Sequence, residues 1–493
     1  FNGVGMQYDM GMLSNYDYRY FKQGNEENTA YYTVSRTKSR EVSFFGTATY
    51  SYQGKYTING TMRYEGSNKL GRSRSARWLP TWNVSGAWNM HEESFFESLR
   101  PSLSNFTLKA SYSLTADRGP ANVTNSLAVI MGYNPWRPLS SVNESGLQIT
   151  DLENSELTYE KKHELNIGAE VGFLENRINL AVDWYKRNNY DLIGLINTMG
   201  VGGQVSKLAN VASMESHGVE FTLSTRNIST KNFKWTTDFI FSNAKNKVTE
   251  LKSDANVMSM ISGSGFALEG NPVRSLYSLN FQGLNKEGLP TFINEKGELT
   301  VTDINFQERE NKSHLVYEGS TDPTITGSFG NIFSYKGFKL NVFMTYSFGN
   351  VIRLDPVFHN AYSDLDATPR EFKNRWTVAG DEKITTVPVI ADLRQNTMNS
   401  YLNKAYNAYN YSTERIAKGD FIRMKEISVT YEFPKTMVSK LSLSNLSLKI
   451  QGTNLFLLYA DKKLNGQDPE FFNSGGVAVP VPKQFTLTLR LGI

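Results

Sequence analysis

Cysteine is absent from the 493 residues, which removes disulfides, thiolate metal sites and cysteine nucleophiles at once. Long hydrophobic runs are missing too. No stretch reaches the roughly 18 apolar residues that a membrane-spanning helix needs. Neither sign of charge dominates: 52 basic and 48 acidic residues leave a net +4, too balanced to suggest a nucleic-acid partner. The histidines, His91, His163, His217, His314 and His359, have no ligand spacing, which argues against zinc. Gly200-Val201-Gly202-Gly203 lacks the lysine and the following helix of a phosphate loop. No repeat of fixed period marks a propeller. Carboxylates are numerous but scattered, so no catalytic, metal or cofactor constellation is expected. The amino-terminal Phe1-Asn2-Gly3-Val4 has neither a basic nor an apolar leader, so an exported protein of this sequence is expected to be processed or to be a piece of a longer chain.

What the chain does have is alternation. In the closing segment Phe485, Leu487, Leu489, Leu491 and Ile493 share one face, while Gln484, Thr486, Thr488, Arg490 and Gly492 share the other. Leu165 to Phe173 alternates in the same way, turns at Leu174-Glu175-Asn176, and resumes from Ile178 to Trp184 as the second arm of a hairpin. Further alternating runs lie at 42–52, 55–64, 82–89, 106–114, 219–225, 233–243, 324–334, 338–348, 427–433 and 446–455. Most reach about ten residues, the length a tilted strand needs to cross lipid and longer than the five or six usual in a soluble sandwich. Aromatics make up 13 % of the chain, suited to the two water–lipid boundaries. A mean hydropathy of −0.42 fits a barrel, because only alternate residues meet lipid.

These features predict an all-β chain: a transmembrane antiparallel β-barrel with about 14 strands and both chain ends in the periplasm. Tight turns alternate with long connections, of which residues 115–158, 249–322, 350–418 and 459–482 are the chief predicted extracellular loops, with a further connection over 192–207.

The carboxy end carries specific motifs. Gly419-Asp420-Phe421-Ile422-Arg423-Met424-Lys425-Glu426-Ile427, Gly452-Thr453-Asn454-Leu455-Phe456, Asp468-Pro469-Glu470 and Val479-Pro480-Val481-Pro482-Lys483-Gln484-Phe485-Thr486 resemble segments of SusC/RagA-like TonB-dependent transporters of Bacteroidota. Upstream, Tyr50 to Tyr56, Arg63 to Ser67, Asn210-Val211, Gly218-Val219-Glu220 and Arg375-Trp376-Thr377 are similar to further segments of that family, in order along nearly the whole chain. The resemblance implies an outer-membrane importer of oligosaccharides or peptides. It would have about 22 strands in its complete barrel, an amino-terminal plug, energy drawn through TonB, and a SusD-like surface lipoprotein as lid. No plug or TonB-contacting segment is seen in this sequence, so the chain is expected either to be the carboxy-terminal portion of such a barrel, the favoured reading, or to close as a smaller barrel of its own. The family's acidic cation loop is not matched at Asn285-Lys286-Glu287-Gly288, and no metal is carried over. The terminal Ile493 stands where an aromatic is usual.

Arg72, Arg74 and Arg77 are candidate contacts for lipopolysaccharide phosphates, against the plainer reading of a solvated loop. Trp78, Trp82 and Trp88 fit an interfacial girdle better than sugar stacking. Tyr362 and Trp376 are the candidate loop contacts for ligand or lid. The rival to import is a barrel of this family that scaffolds other surface proteins and transports nothing. A barrel protease lacks its acidic–histidine cluster. The motifs do not separate sugar from peptide importers.

Overall fold

The computed structural model describes residues 2–6, 32–36, 40–71, 73–100, 102–119, 128–133, 146–200, 205–252, 255–263, 265–357, 370–390, 401–441, 443–471 and 482–492. One antiparallel sheet of 13 strands forms the wall. In chain order they are β1 (Glu41–Tyr52), β2 (Tyr56–Ser67), β3 (Trp78–Asn89), β4 (Leu103–Asp117), β5 (Glu160–Phe173), β6 (Ile178–Asn197) and β7 (Ser206–Ser229), then β8 (Phe233–Leu251), β9 (Ile325–Tyr335), β10 (Phe338–Phe348), β11 (Phe421–Glu432), β12 (Asn445–Ala460) and β13 (Gln484–Gly492). Each wall strand pairs with the next in sequence, an up-and-down meander. The count is thirteen rather than the expected 14 or so, and the hairpin of Asn2–Met6 with Tyr32–Arg36 pairs only with itself. β1 therefore starts at the opposite end from the one that an even count required.

The register turns alternation into two continuous faces. Phe106, Val171, Leu180, Leu223, Phe239, Phe329, Met344 and Met424 form one cross-strand row. Trp235, Phe333, Leu340, Val429, Ile450 and Leu487 form another on the same face. The opposite face reads Thr47, Thr61, Asn83, Ser113, Glu164 and Arg187 along a comparable row. A soluble sheet buries its apolar face against a second layer. Here Leu487 is 69 % and Ile58 59 % exposed, and the packed interior lies elsewhere.

Aromatics mark both borders of the apolar band. On β3, Trp78 stacks on Tyr64 near one end and Trp88 stacks on Tyr56 near the other, with Trp82 edge-on to Tyr112 between them. Trp78 and Trp88 are about ten residues, or roughly 33 Å, apart along the strand; at a tilt near 40° that is about 25 Å of height, the thickness of the lipid-facing band.

The tight turns gather at one end of the sheet. Lys336-Gly337 (φ +45°, +90°) is a two-residue hairpin turn with left-handed backbone, Gln53-Gly54 (φ +50°, +69°) is left-handed within the three-residue turn closed by Tyr52 and Tyr56, and Leu174-Glu175-Asn176 is left-handed throughout. The other end carries the long connections. β6 and β7 run well past the lipid-spanning length, so the connection expected over 192–207 shrinks to 198–205. In this extension Leu195 pairs with Leu208 but Ile193 with Asn210 and Ile196 with Lys207, so apolar and polar residues fall on both faces and the period of two is lost. Among the described residues β1 and β13 have no partner on their outer sides, and both run from the loop end to the turn end.

Candidate functional site

The chain's packed core sits in the loops. The described residues within 252–324 and 349–420 fold together into a head at the loop end of the wall, around Val257, Ile261, Leu279, Phe292, Val357 and Tyr409, each essentially inaccessible to solvent. The helix Leu402–Asn410 places Leu402, Ala405, Ala408 and Tyr409 on its buried side, as the helical period requires. The helix Val257–Ser262 is capped by Asn256, whose Oδ1 accepts from the Ser259 amide at 2.8 Å. Asn285-Lys286-Glu287-Gly288 is a closed Asx turn, with Asn285 Oδ1 accepting from the amides of Glu287 and Leu289 at 3.0 and 2.9 Å. Its side-chain oxygen is thereby engaged. Among the described residues no group of three or more His, Asp or Glu is placed to hold a metal.

Two of the quoted motifs turn out to be partners. Arg423, on the polar face of β11 and 4 % exposed, pairs with both Asp468 and Glu470 of the loop between β12 and β13, and Lys425 reaches Glu470 at 3.1 Å. This clamp ties that loop to the wall. Beside it Asp420 Oδ1 accepts from the Gly349 amide at 2.7 Å and Asp461 Oδ2 from the Lys418 amide at 2.8 Å. Below the head the polar face carries further ion pairs: Lys109 with Glu170, and Glu164 with Lys162 and Arg187. A charged, water-compatible face thus runs behind the apolar one.

A cleft of about 710 Å³ opens in the head between residues 371–387, 409–415 and 463–465. Arg415, 3 % exposed, lies in its lining and bridges to Glu371 at 2.8 Å. The Thr377 and Val378 amides hold the Asp381 carboxyl below the usual carboxylate range. Glu382 is lowered likewise, by a backbone amide and the Trp376 indole first. Burial raises the Tyr409 phenol, and elsewhere in the head it draws Arg353 down to about 10.

Trp376 is half-buried over Gly288, with Nε1–H donating to Glu382 at 3.1 Å, so it braces one side of the cleft. Tyr362 and Arg72 lie outside the described residues. Arg74 is exposed and Arg77 half-buried on the short helix Arg74–Arg77, which Ser73 caps. The site expectations had missed Arg415, Glu371 and the Arg423 clamp. A usable signal was present: quoted motifs rich in Arg and Lys were matched by another rich in Asp and Glu.

Comparison with known proteins gives a consistent picture. Residues 1–355 match the family described as TonB dependent receptor-like, beta-barrel. The chain is 26 % identical over 445 residues to TonB-dependent receptor P3 of Formosa agariphila, covering 87 % of this chain and 42 % of that one. It is 23 % identical over 495 residues to TonB-dependent receptor SusC of Bacteroides thetaiotaomicron, covering 95 % and 44 %. The chain thus spans less than half the length of these curated relatives. The wall superimposes on the RagAB peptide importer in its "open-open" state with a TM-score of 0.75 at 23 % identity, over 94 % of this chain and 47 % of that one, a likeness of fold.

Proposed function

This chain belongs to the TonB-dependent receptor β-barrel family of the outer membrane, a family of receptors and not of enzymes, and from that premise we propose that it is part of the wall of an energised importer. The cargo is an oligosaccharide or peptide. The loop head faces outside and takes a SusD-like lipoprotein as lid, the turn end and the end of β13 face the periplasm, and TonB supplies the energy through a plug. The observation that carries the reading is the uninterrupted apolar face across 13 strands, exposed to solvent and backed by a charged polar face. Such a sheet suits lipid on one side and a water-filled lumen on the other. Trp376 and Tyr362 are proposed to meet cargo or lid, and Arg72, Arg74 and Arg77 lipopolysaccharide.

The test is purification of the full-length receptor from outer membranes, with mass spectrometry of the co-purifying lipoprotein and ligand, alongside growth of a deletion strain on the identified oligomer. Import predicts growth that depends on the receptor and on TonB. Unchanged growth of the deletion strain, with surface proteins lost instead, would replace import with scaffolding.

A further inference from the structure

The charges in the head cleft are not evenly spent. Its four carboxylates are engaged by the protein itself. Asp381 accepts from the amides of Thr377 and Val378, both at 3.0 Å, and from the Thr377 hydroxyl at 2.9 Å. Glu382 accepts from the Trp376 indole at 3.1 Å and the Gly380 amide at 2.8 Å. Glu371 is taken by Arg415 at 2.8 Å, and Glu414 by the Thr386 hydroxyl at 3.1 Å.

The donors are the unspent part. Arg375 and Lys383 line the cleft without a carboxylate in ion-pair reach among the described residues. Lys463 reaches Glu414 only at 3.9 Å. Arg415, by contrast, is 3 % exposed and spent on Glu371 and on the Asp355 carbonyl at 2.7 Å, so it holds the wall of the cleft together and is closed to a ligand. A ligand carboxylate beside Arg375 and Lys383 would gain charge-assisted hydrogen bonds, and the planar Arg375 fork matches one bidentately.

We propose that this cleft binds a carboxylate of a short peptide segment of the cargo, with Arg375 and Lys383 as its donors; the assignment of the ligand as cargo rests on the import reading above. A sugar chain fits less well. The one aromatic residue in the lining is Tyr409, 1 % exposed, which offers no ring face for stacking. Ile384, 83 % exposed, instead sets alkyl surface beside the charges, as side chains of a peptide require. The volume lies in the range of sites that enclose small ligands.

The experiment titrates the full-length receptor, purified in detergent, with four probes: amine-blocked tetra-alanine with a free carboxylate, its carboxamide, trigalacturonate and maltotriose. The free acid is expected to bind at least about tenfold more tightly than its amide. The double variant Arg375→Ala/Lys383→Ala is expected to remove that advantage while leaving the receptor folded, because Lys383 has no ion-pair partner among the described residues and Arg375 gives up only its contact over the Phe372 ring, 5.7 Å from the centroid; Lys383→Ala alone, with an unchanged melt, is expected to remove part of it. Equal affinity for acid and amide, an unaffected double variant, no binding of any probe, or trigalacturonate bound as tightly as the peptide acid would each overturn the proposal. Binding is read without TonB. A failed titration therefore leaves import standing, whereas intact binding with lost dependence on TonB in cells faults the import reading alone.

Discussion

Replacing Leu487 by arginine tests which solvent the apolar face was built for. Leu487 lies mid-way along β13, opposite Ile450, and is 69 % exposed. In water, an exposed leucine that packs little can be exchanged at a cost within about 0.5 kcal/mol. In hydrocarbon the same change places a guanidinium near the bilayer midplane, at about 2–4 kcal/mol. The expected loss for Leu487→Arg is therefore about 3 kcal/mol, more than a hundredfold in the folding equilibrium. Thr486→Arg is the control, since Thr486 is the next residue, pairs with Gln451 and faces the lumen; it should cost under about 1 kcal/mol. The assay is reversible urea-titrated folding of the full-length receptor into lipid vesicles. If the two variants cost the same, or Leu487→Arg costs under about 0.5 kcal/mol, the face does not meet lipid.

Other predictions follow from the head and the wall. Arg423→Met leaves Asp468 without its ion-pair partner and Glu470 with Lys425 alone, a loss of about 3 kcal/mol for a buried pair, seen as faster amide exchange over residues 461–471 than in Asp468→Asn/Glu470→Gln; equal exchange in both would count against the clamp. His314 is 6 % exposed with both ring nitrogens unpaired, and burial, opposed by Glu295 and Glu308, lowers its pKa. Its contribution is therefore complete above about pH 6.5 and is lost as pH falls from there through the lower folded value. Protection of residues 299–320, corrected for intrinsic exchange, should drop on acidification in the parent and not in His314→Phe. Gly327 lies under the Tyr346 ring, whose hydroxyl donates to the Ile240 carbonyl at 2.8 Å, and a Cβ there would fall 2.1 Å from that carbonyl oxygen. Gly327→Ala should destabilise by about 1–3 kcal/mol in the vesicle-folding assay, while Gly46→Ala, with open space around it, should be near neutral.

The wall was legible because lipid enforces a strict period of two. Leu165 to Trp184 announced both strands and the turn of their hairpin, and the turn residues prove left-handed. Where β6 and β7 run past the lipid-spanning length apolar residues fall on both faces, alternation stops, and the strands were underestimated by the same physics that made the rest readable. The head was not legible. Its core joins Val257, Phe292, Phe372 and Tyr409 across long separations, and no local period records which loop packs on which. The cleft is harder still to see in sequence, since Asp381, Glu382 and Arg375 look alike as charges. Only geometry separates the carboxylates already satisfied by amides from the cations left open.

The shared heading of β1 and β13 has a topological consequence. In an antiparallel ring every neighbour points the other way, so the two seams cannot simply be zipped to each other. A second copy inserted in the same orientation does not help, because it sets like beside like at both joints. Only an intervening odd number of strands restores the alternation all the way round, and the parity of whatever completes the cylinder is fixed before its identity is known.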